Sequence, residues 1–251
     1  MTTLAAKSLL VADSANKCAP GLPADFCHHH ETTGCVGGNG LFCADWAADN
    51  IDRYVGPFFR HLEIVAISVV AGFVVALALA LLSHRHRTLI PPVLGATGVL
   101  YTIPSIAFFF LLLPITGFGL WTAVIPLAAY TLQIIYRNTI AGLANVPDDA
   151  KDAGRGMGMS ERQLLWRVEL PLATPEVVAG LRIAIVSTVV IATLAFLAGA
   201  GGLGDALYAQ PSFNTNIIMV GVLTIGMALI LDLMVVLAQR FAMPWQRARP
   251  R

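Results

Sequence analysis

From residue 62 onward the chain is dominated by five long apolar runs separated by short polar stretches. Leu62–Leu82 holds 21 residues, Leu89–Leu113 holds 25, Phe118–Tyr136 holds 19, and Val177–Ala198 and Ile217–Ala238 hold 22 each. At about 1.5 Å of rise per helical residue, each run can cross a hydrocarbon core of roughly 30 Å. Charges inside them are sparse: Glu63 sits at the edge of the first, Arg182 interrupts the fourth and Asp232 the fifth. The pattern predicts an all-α membrane protein with about five transmembrane helices. Runs this regular in length are not required of helices buried in a soluble core. Composition agrees, with 57% hydrophobic residues, 12% charged residues and a mean hydropathy of +0.72.

Between the third and fourth runs lies a polar island, residues 146–174, which must sit in water while its neighbours sit in lipid. Its first half opens with Pro147 followed by Asp148 and Asp149, as a helix N-terminus prefers. Its second half has Ser160 and, three residues on, Gln163, the spacing of a capping box, then an apolar stripe of Leu164, Leu165 and Val168. Pro171 is expected to stop that second helix. Gly156, Gly158 and Ser160 between the halves predict an elbow. The island is therefore expected to fold as a helix-turn-helix at the membrane surface, with Leu164, Leu165, Trp166 and Val168 offering apolar contact to a partner.

Positive charge sets the expected orientation. Four of the 16 Lys and Arg precede the first run, and the other 12, Arg182 among them, fall on one side of a five-span arrangement. The positive-inside rule makes that side cytoplasmic, together with the polar island and the C-terminal tail, and puts the N-terminus outside. The expected divisions are an extracytoplasmic Cys-rich arm at residues 1–57, a transmembrane domain at 58–243 and a basic cytoplasmic tail at 244–251. Trp121 and Trp245 fall near span ends, as interfacial aromatics do. All four cysteines, Cys18, Cys27, Cys35 and Cys43, lie in the arm, where disulfides persist. Two bridges, a metal site using Cys27, His28, His29, His30, Glu31 and Cys35, and a disordered arm are the open alternatives.

Several motifs bear on chemistry. Gly199, Gly201 and Gly204 match a dinucleotide-binding fingerprint by letter, but a membrane span precedes them where a strand is needed, so a compact turn is the reading. No phosphate-binding loop surrounds any of the three lysines, so ATP is not bound here in the Walker manner and no cofactor is expected. The second run contains Thr102-Ile103-Pro104-Ser105, where a proline frees a backbone carbonyl. It is either a packed kink or, with Tyr101, the lining of a solute path. Asp232, about two helical turns from Arg240, is an intramembrane carboxylate that suits a structural pair near the cytoplasmic surface. A proton relay would suit a different class of transporter. No catalytic constellation appears, so the chain is not expected to be an enzyme.

The island resembles the coupling loop of ABC importer permeases, whose pattern is Glu-Ala-Ala, three residues, Gly, nine residues, Ile, any residue, Leu-Pro. Asp152, Ala153, Gly154, Gly158, Val168, Leu170 and Pro171 fall on every spacing, with Asp for Glu, Gly for the second Ala and Val for Ile. Asp152–Met159 and the later AGAGGLG are similar to the branch handling osmoprotectants such as glycine betaine, carnitine and choline, and T-I-P-S recurs in its permeases. The resemblance spans about Arg60 to Phe241. It implies a permease subunit that pairs with an identical or related subunit, with a cytoplasmic ATPase dimer beneath and a solute-binding protein above. ATP would be bound by the partner, and nucleic acid is not an expected partner. The alternatives are an ABC permease for another small solute, such as an amino acid, or an ion-coupled secondary transporter.

Overall fold

The computed structural model of the chain describes residues 35–242, and among these no strand occurs. The helices in chain order are α1 (Ala44–Asp49), α2 (Asp52–Arg85), α3 (Ile90–Thr102), α4 (Ser105–Thr116), α5 (Leu120–Ala144), α6 (Asp148–Gly156), α7 (Glu161–Ala192), α8 (Leu203–Ala209) and α9 (Asn214–Ala242). Three of them, α2, α7 and α9, are long and apolar enough to cross a membrane. The bent pair of α3 and α4 brings the number to four at most. The remaining run of the sequence pattern is α5, whose 25 residues extend about 37 Å. Thr131, Gln133, Tyr136, Arg137 and Asn138 lower its hydropathy, and its place in the bundle explains them. Helix α5 is packed by α2, α3, α4 and α7, so much of its surface meets protein rather than lipid.

Packing at this centre depends on small and hydroxyl residues, as expected where apolar burial gives helices no preference for one another over lipid. Gly72 of α2 lies so close to α5 that a β-carbon there would come within 2.7 Å of the Ala128 carbonyl and the Thr131 side chain. Hydroxyls bridge the helices. Thr131 and Thr188 meet at 3.0 Å, and Tyr136 donates to Ser83 at 2.8 Å, all buried. Ile64, Val65, Leu127, Val189 and Met227 fill the apolar core between α2, α5, α7 and α9. The outward residues Val70, Val74, Ile183, Val190, Ile225 and Leu229 stay exposed, the surface a membrane would cover.

At the end of the bundle where α2 begins, a disulfide joins Cys35 to Cys43. That bridge takes Cys35 out of the metal-ligand alternative. Cys18, Cys27 and the three histidines lie outside the described residues, as do Trp245 and the last three arginines. The AGAGGLG stretch is the compact turn expected: Gly199, Gly201 and Gly202 have positive φ, and Gly204 rests directly on the Thr193 carbonyl.

Candidate functional site

The polar island folds as a helix-turn-helix formed by α6 and the start of α7. Pro147 precedes the first turn of α6 with Asp148 and Asp149 in it, and the capping box forms. The Ser160 N–H donates to Gln163 Oε1 at 2.9 Å, and the Gln163 N–H to Ser160 Oγ at 3.4 Å. Gly158 makes the elbow at φ +78°, a conformation that costs other residues roughly 1–2 kcal/mol. Arg155 spans the turn, donating to Asp152 and Glu161. The Glu161 carboxylate, ahead of Asp152, raises the guanidinium further above its usual value.

Leu164 holds the two arms together. It is 0% exposed, and a β-carbon on Gly154 would stand 2.5 Å from its Cδ1. Glycine at the position where the resembling pattern has its second alanine therefore admits the leucine. Val168 and Met159 close the same contact. The apolar stripe of the second helix thus faces inward, and Leu164 offers no surface to a partner. Leu165 turns into a small cluster with Leu143, Val146 and Ala173. The apolar groups left at the surface are Met157, 70% exposed, and Trp166, 53% exposed, among the exposed Arg155, Arg162 and Arg167 and, beside them, Asp152 and Ala153.

Pro171 does not stop the helix. Leu165–Glu169 widen into a single π turn, and the α-helix resumes at Leu170 with Pro171 at its start, where the missing N–H is tolerated. The polar arm and the apolar body of α7 are consequently one continuous element of 32 residues, Glu161–Ala192. At the π turn the buried Glu169 carboxylate meets His84 Nε2 of α2 at 2.7 Å. Neither residue stood out in the sequence.

The second apolar run is broken rather than kinked. Ile103 and Pro104 are extended, as a residue before proline prefers, and α3 and α4 diverge by 96°. The carbonyl freed at Ile103 accepts from the Tyr130 hydroxyl of α5, and Thr102 Oγ1 returns to the Val99 carbonyl at 2.7 Å. Tyr101 and Phe108 both stand edge-on to Tyr130, at 5.6 and 6.0 Å. Tyr101, Thr102 and Pro104 are exposed on the subunit and Ser105 is half-buried. Tyr130 is the residue missed, although a buried tyrosine in an apolar run must find an acceptor.

Asp232 does have a partner, and it is Arg182. The guanidinium of α7 grips the carboxylate of α9 with two hydrogen bonds of 2.7 and 2.8 Å. Arg182 is therefore half of an ion pair within the helices and does not belong to the loop charges that orient the chain.

Residues 59–243 match the family described as the inner membrane component of binding-protein-dependent transport systems. The chain belongs to that family. Over 161 residues this permease component is 40% identical to the osmoprotectant import permease protein OsmW of Salmonella typhimurium, across 62% of this chain and 75% of that protein. Over 195 residues it is 34% identical to the glycine betaine/carnitine/choline transport system permease protein OpuCD of Bacillus subtilis, across 76% and 85%. Among solved structures, a chain of the inward-facing MetNI methionine ABC transporter superposes with a TM-score of 0.63 at 24% identity. That match covers 72% of this permease component and 94% of that chain, a likeness of fold. The permease component is thus an all-α inner-membrane protein, with the helix-turn-helix at one end of its bundle.

Proposed function

We propose that the chain is the permease subunit of an ATP-driven importer for osmoprotectants of the quaternary-amine class, such as glycine betaine. The observation that carries the reading is the helix-turn-helix, which presents Met157 and Trp166 to solvent while Leu164 closes its arms on each other and Leu165 and Glu169 tie it to the bundle. The solute class is supported by the likeness to OsmW and OpuCD. A helix-turn-helix so held suits a rigid lever. A cytoplasmic ATPase dimer would seat the exposed tip, and its closure would move α6 and α7 as one body, opening the path to the opposite side without covalent chemistry in this subunit. A second permease subunit, identical or related, and an extracytoplasmic binding protein complete the assembly, with the N-terminal arm outside and the helix-turn-helix inside.

For the path, the broken α3–α4 segment is favoured. Irregular backbone is tolerated at membrane depth where protein or a water-filled cavity satisfies it. The exposed ring of Tyr101 beside Tyr130 suits passing contact with a quaternary ammonium, worth roughly 0.5–2 kcal/mol by cation–π attraction. That is too weak for discrimination, which falls to the binding protein. Asp232, gripped by Arg182, supports a structural role over an ion-coupled one.

The test is reconstitution in liposomes with the ATPase and binding protein, measuring uptake of glycine betaine, choline, carnitine, an amino acid and a sugar. The expected result is ATP-dependent uptake of the first three. Uptake of the amino acid or sugar alone would overturn the solute assignment, and uptake without any ATPase would overturn the importer itself.

A further inference from the structure

At the end of the bundle that carries the helix-turn-helix, a cleft of about 290 Å³ opens between the α2–α3 turn, the end of α5 and the first turns of α6. Its walls include His84, Arg87, Ile90, Ile140, Asp148 and Lys151. One wall is cationic. The Lys151 side chain is only 14% exposed, and among the described residues the partner of its ammonium is Asp148 Oδ1 at 3.1 Å, on a side chain that is itself 89% exposed. An ammonium has three donors, so among the described residues two are left for a ligand in the cleft. Arg87, exposed at the mouth, makes no side-chain hydrogen bond or ion pair among the described residues. His84 is already committed to Glu169. The other wall is apolar: Ile90 and Ile140 are half-buried, and Ile90 leads into the exposed Pro91 and Pro92.

We infer that this cleft binds the phosphate headgroup of an anionic phospholipid of the cytoplasmic leaflet, with Lys151 and Arg87 on the phosphate and Ile90 and Ile140 against the glycerol and first acyl carbons. Basic pockets between helices on the cytoplasmic side are suited to such headgroups. The apolar wall decides between a lipid and free phosphate, because a free anion gains nothing from isoleucine. Occupancy ties the α2–α3 turn to α6, the first arm of the helix-turn-helix, so a bound lipid stiffens the attachment of that arm. The assignment of the leaflet rests on the orientation proposed above. Binding itself does not, so loss of lipid binding and a reversed orientation are separate outcomes.

The experiment is native mass spectrometry of the full-length chain released from nanodiscs of phosphatidylcholine containing a minor fraction of phosphatidylglycerol. Retained phosphatidylglycerol is scored against phosphatidylcholine. Each cation near a headgroup is worth about fivefold in binding, so Arg87→Gln at the exposed mouth should lower the preference about fivefold, and Arg87→Gln with Lys151→Gln about 30-fold. Lys151→Arg should keep most of it. The double variant Arg162→Gln/Arg167→Gln removes the same charge from the exposed tip and should keep it as well. Unchanged retention in the Arg87 and Lys151 variants would overturn the site. An equal loss in the Arg162/Arg167 variant would reduce the effect to surface charge, and displacement by millimolar inorganic phosphate would make the occupant a free anion. Either result would overturn the lipid assignment.

Discussion

The two ends of the bundle are held by different means. Where α2 begins, side chains far apart in sequence are stitched together. Asn39 accepts from the Asn214 N–H at 3.0 Å and donates to the Ser212 carbonyl at 2.9 Å. The Cys43 N–H donates to Thr215, Tyr54 to Asn216 and Arg60 to the Ala200 carbonyl. His61, fully buried, accepts from the Leu203 N–H and reaches the Val189 carbonyl. A disulfide and the Trp46–Phe213 edge contact at 4.8 Å complete the frame. At the other end the helix-turn-helix leans on the bundle through the His84–Glu169 pair and the Leu165 cluster, and is otherwise held within itself. In the proposed mechanism one end is the frame and the other the lever. A device that turns motion at one end into rearrangement in the middle needs both, because a lever without a fixed frame moves the whole body.

The contrast is testable by comparing stability with uptake per ATP hydrolysed. Trp46→Ala empties a buried aromatic site in the frame and should lower unfolding stability by about 3–5 kcal/mol, read as thermal unfolding in detergent. Uptake per ATP should be unchanged in whatever folds, and a drop in that ratio would make the frame part of the lever. Replacing Cys35 and Cys43 together by Ser should cost about 2.5 kcal/mol, the loop-closure value for so short a ring. Again the ratio should hold. Gly154→Ala forces its new methyl against the buried Leu164 and should cost about 1–3 kcal/mol while lowering the ratio severalfold, since the arms no longer close on each other. Normal coupling in that variant would remove the arm contact from the mechanism. Gly158→Arg has the smallest stability effect, about 1–2 kcal/mol of backbone cost, because a side chain at the elbow meets open space within the subunit. Its effect should fall almost wholly on the ratio, with assembly in the membrane retained. A variant that folds, assembles and pumps normally would separate the elbow from the partner's seat.

What could be inferred from sequence followed the range of the interactions. The capping box of Ser160 and Gln163, the acidic first turn of α6 and the glycine elbow are local rules, and the structure repeats them. Apolar run length located the helices but not the break at Ile103, since a proline fixes only a local preference and it took the Tyr130 hydroxyl, 27 residues away, to satisfy the carbonyl of an open bend. The stripe of Leu164 and Val168 marks an apolar face without saying whether a partner or Gly154 covers it. Pro171 signals the end of a helix unless a π turn precedes it, and five-residue turns leave no periodic mark. Arg182 and Asp232 each stood out as a charge in an apolar run. Their mutual need in a lipid setting was the available clue to the pair, and only the crossing of α7 and α9 reveals it.

That pair has a consequence for how the protein is made. Arg182 is synthesised 50 residues before Asp232, so at roughly 5–20 residues per second it waits several seconds for its counter-ion. During that interval α7 must enter the bilayer carrying a lone guanidinium, a burden of about 2.5–3.5 kcal/mol at the centre of a helix on translocon scales and less toward its ends. The arrival of α9 relieves it. The ribosome thus delivers the neutralising charge after the charge it neutralises, and α9 acts as a lock on α7, so that a nascent chain ending short of Asp232 holds α7 less firmly than one that has made the pair.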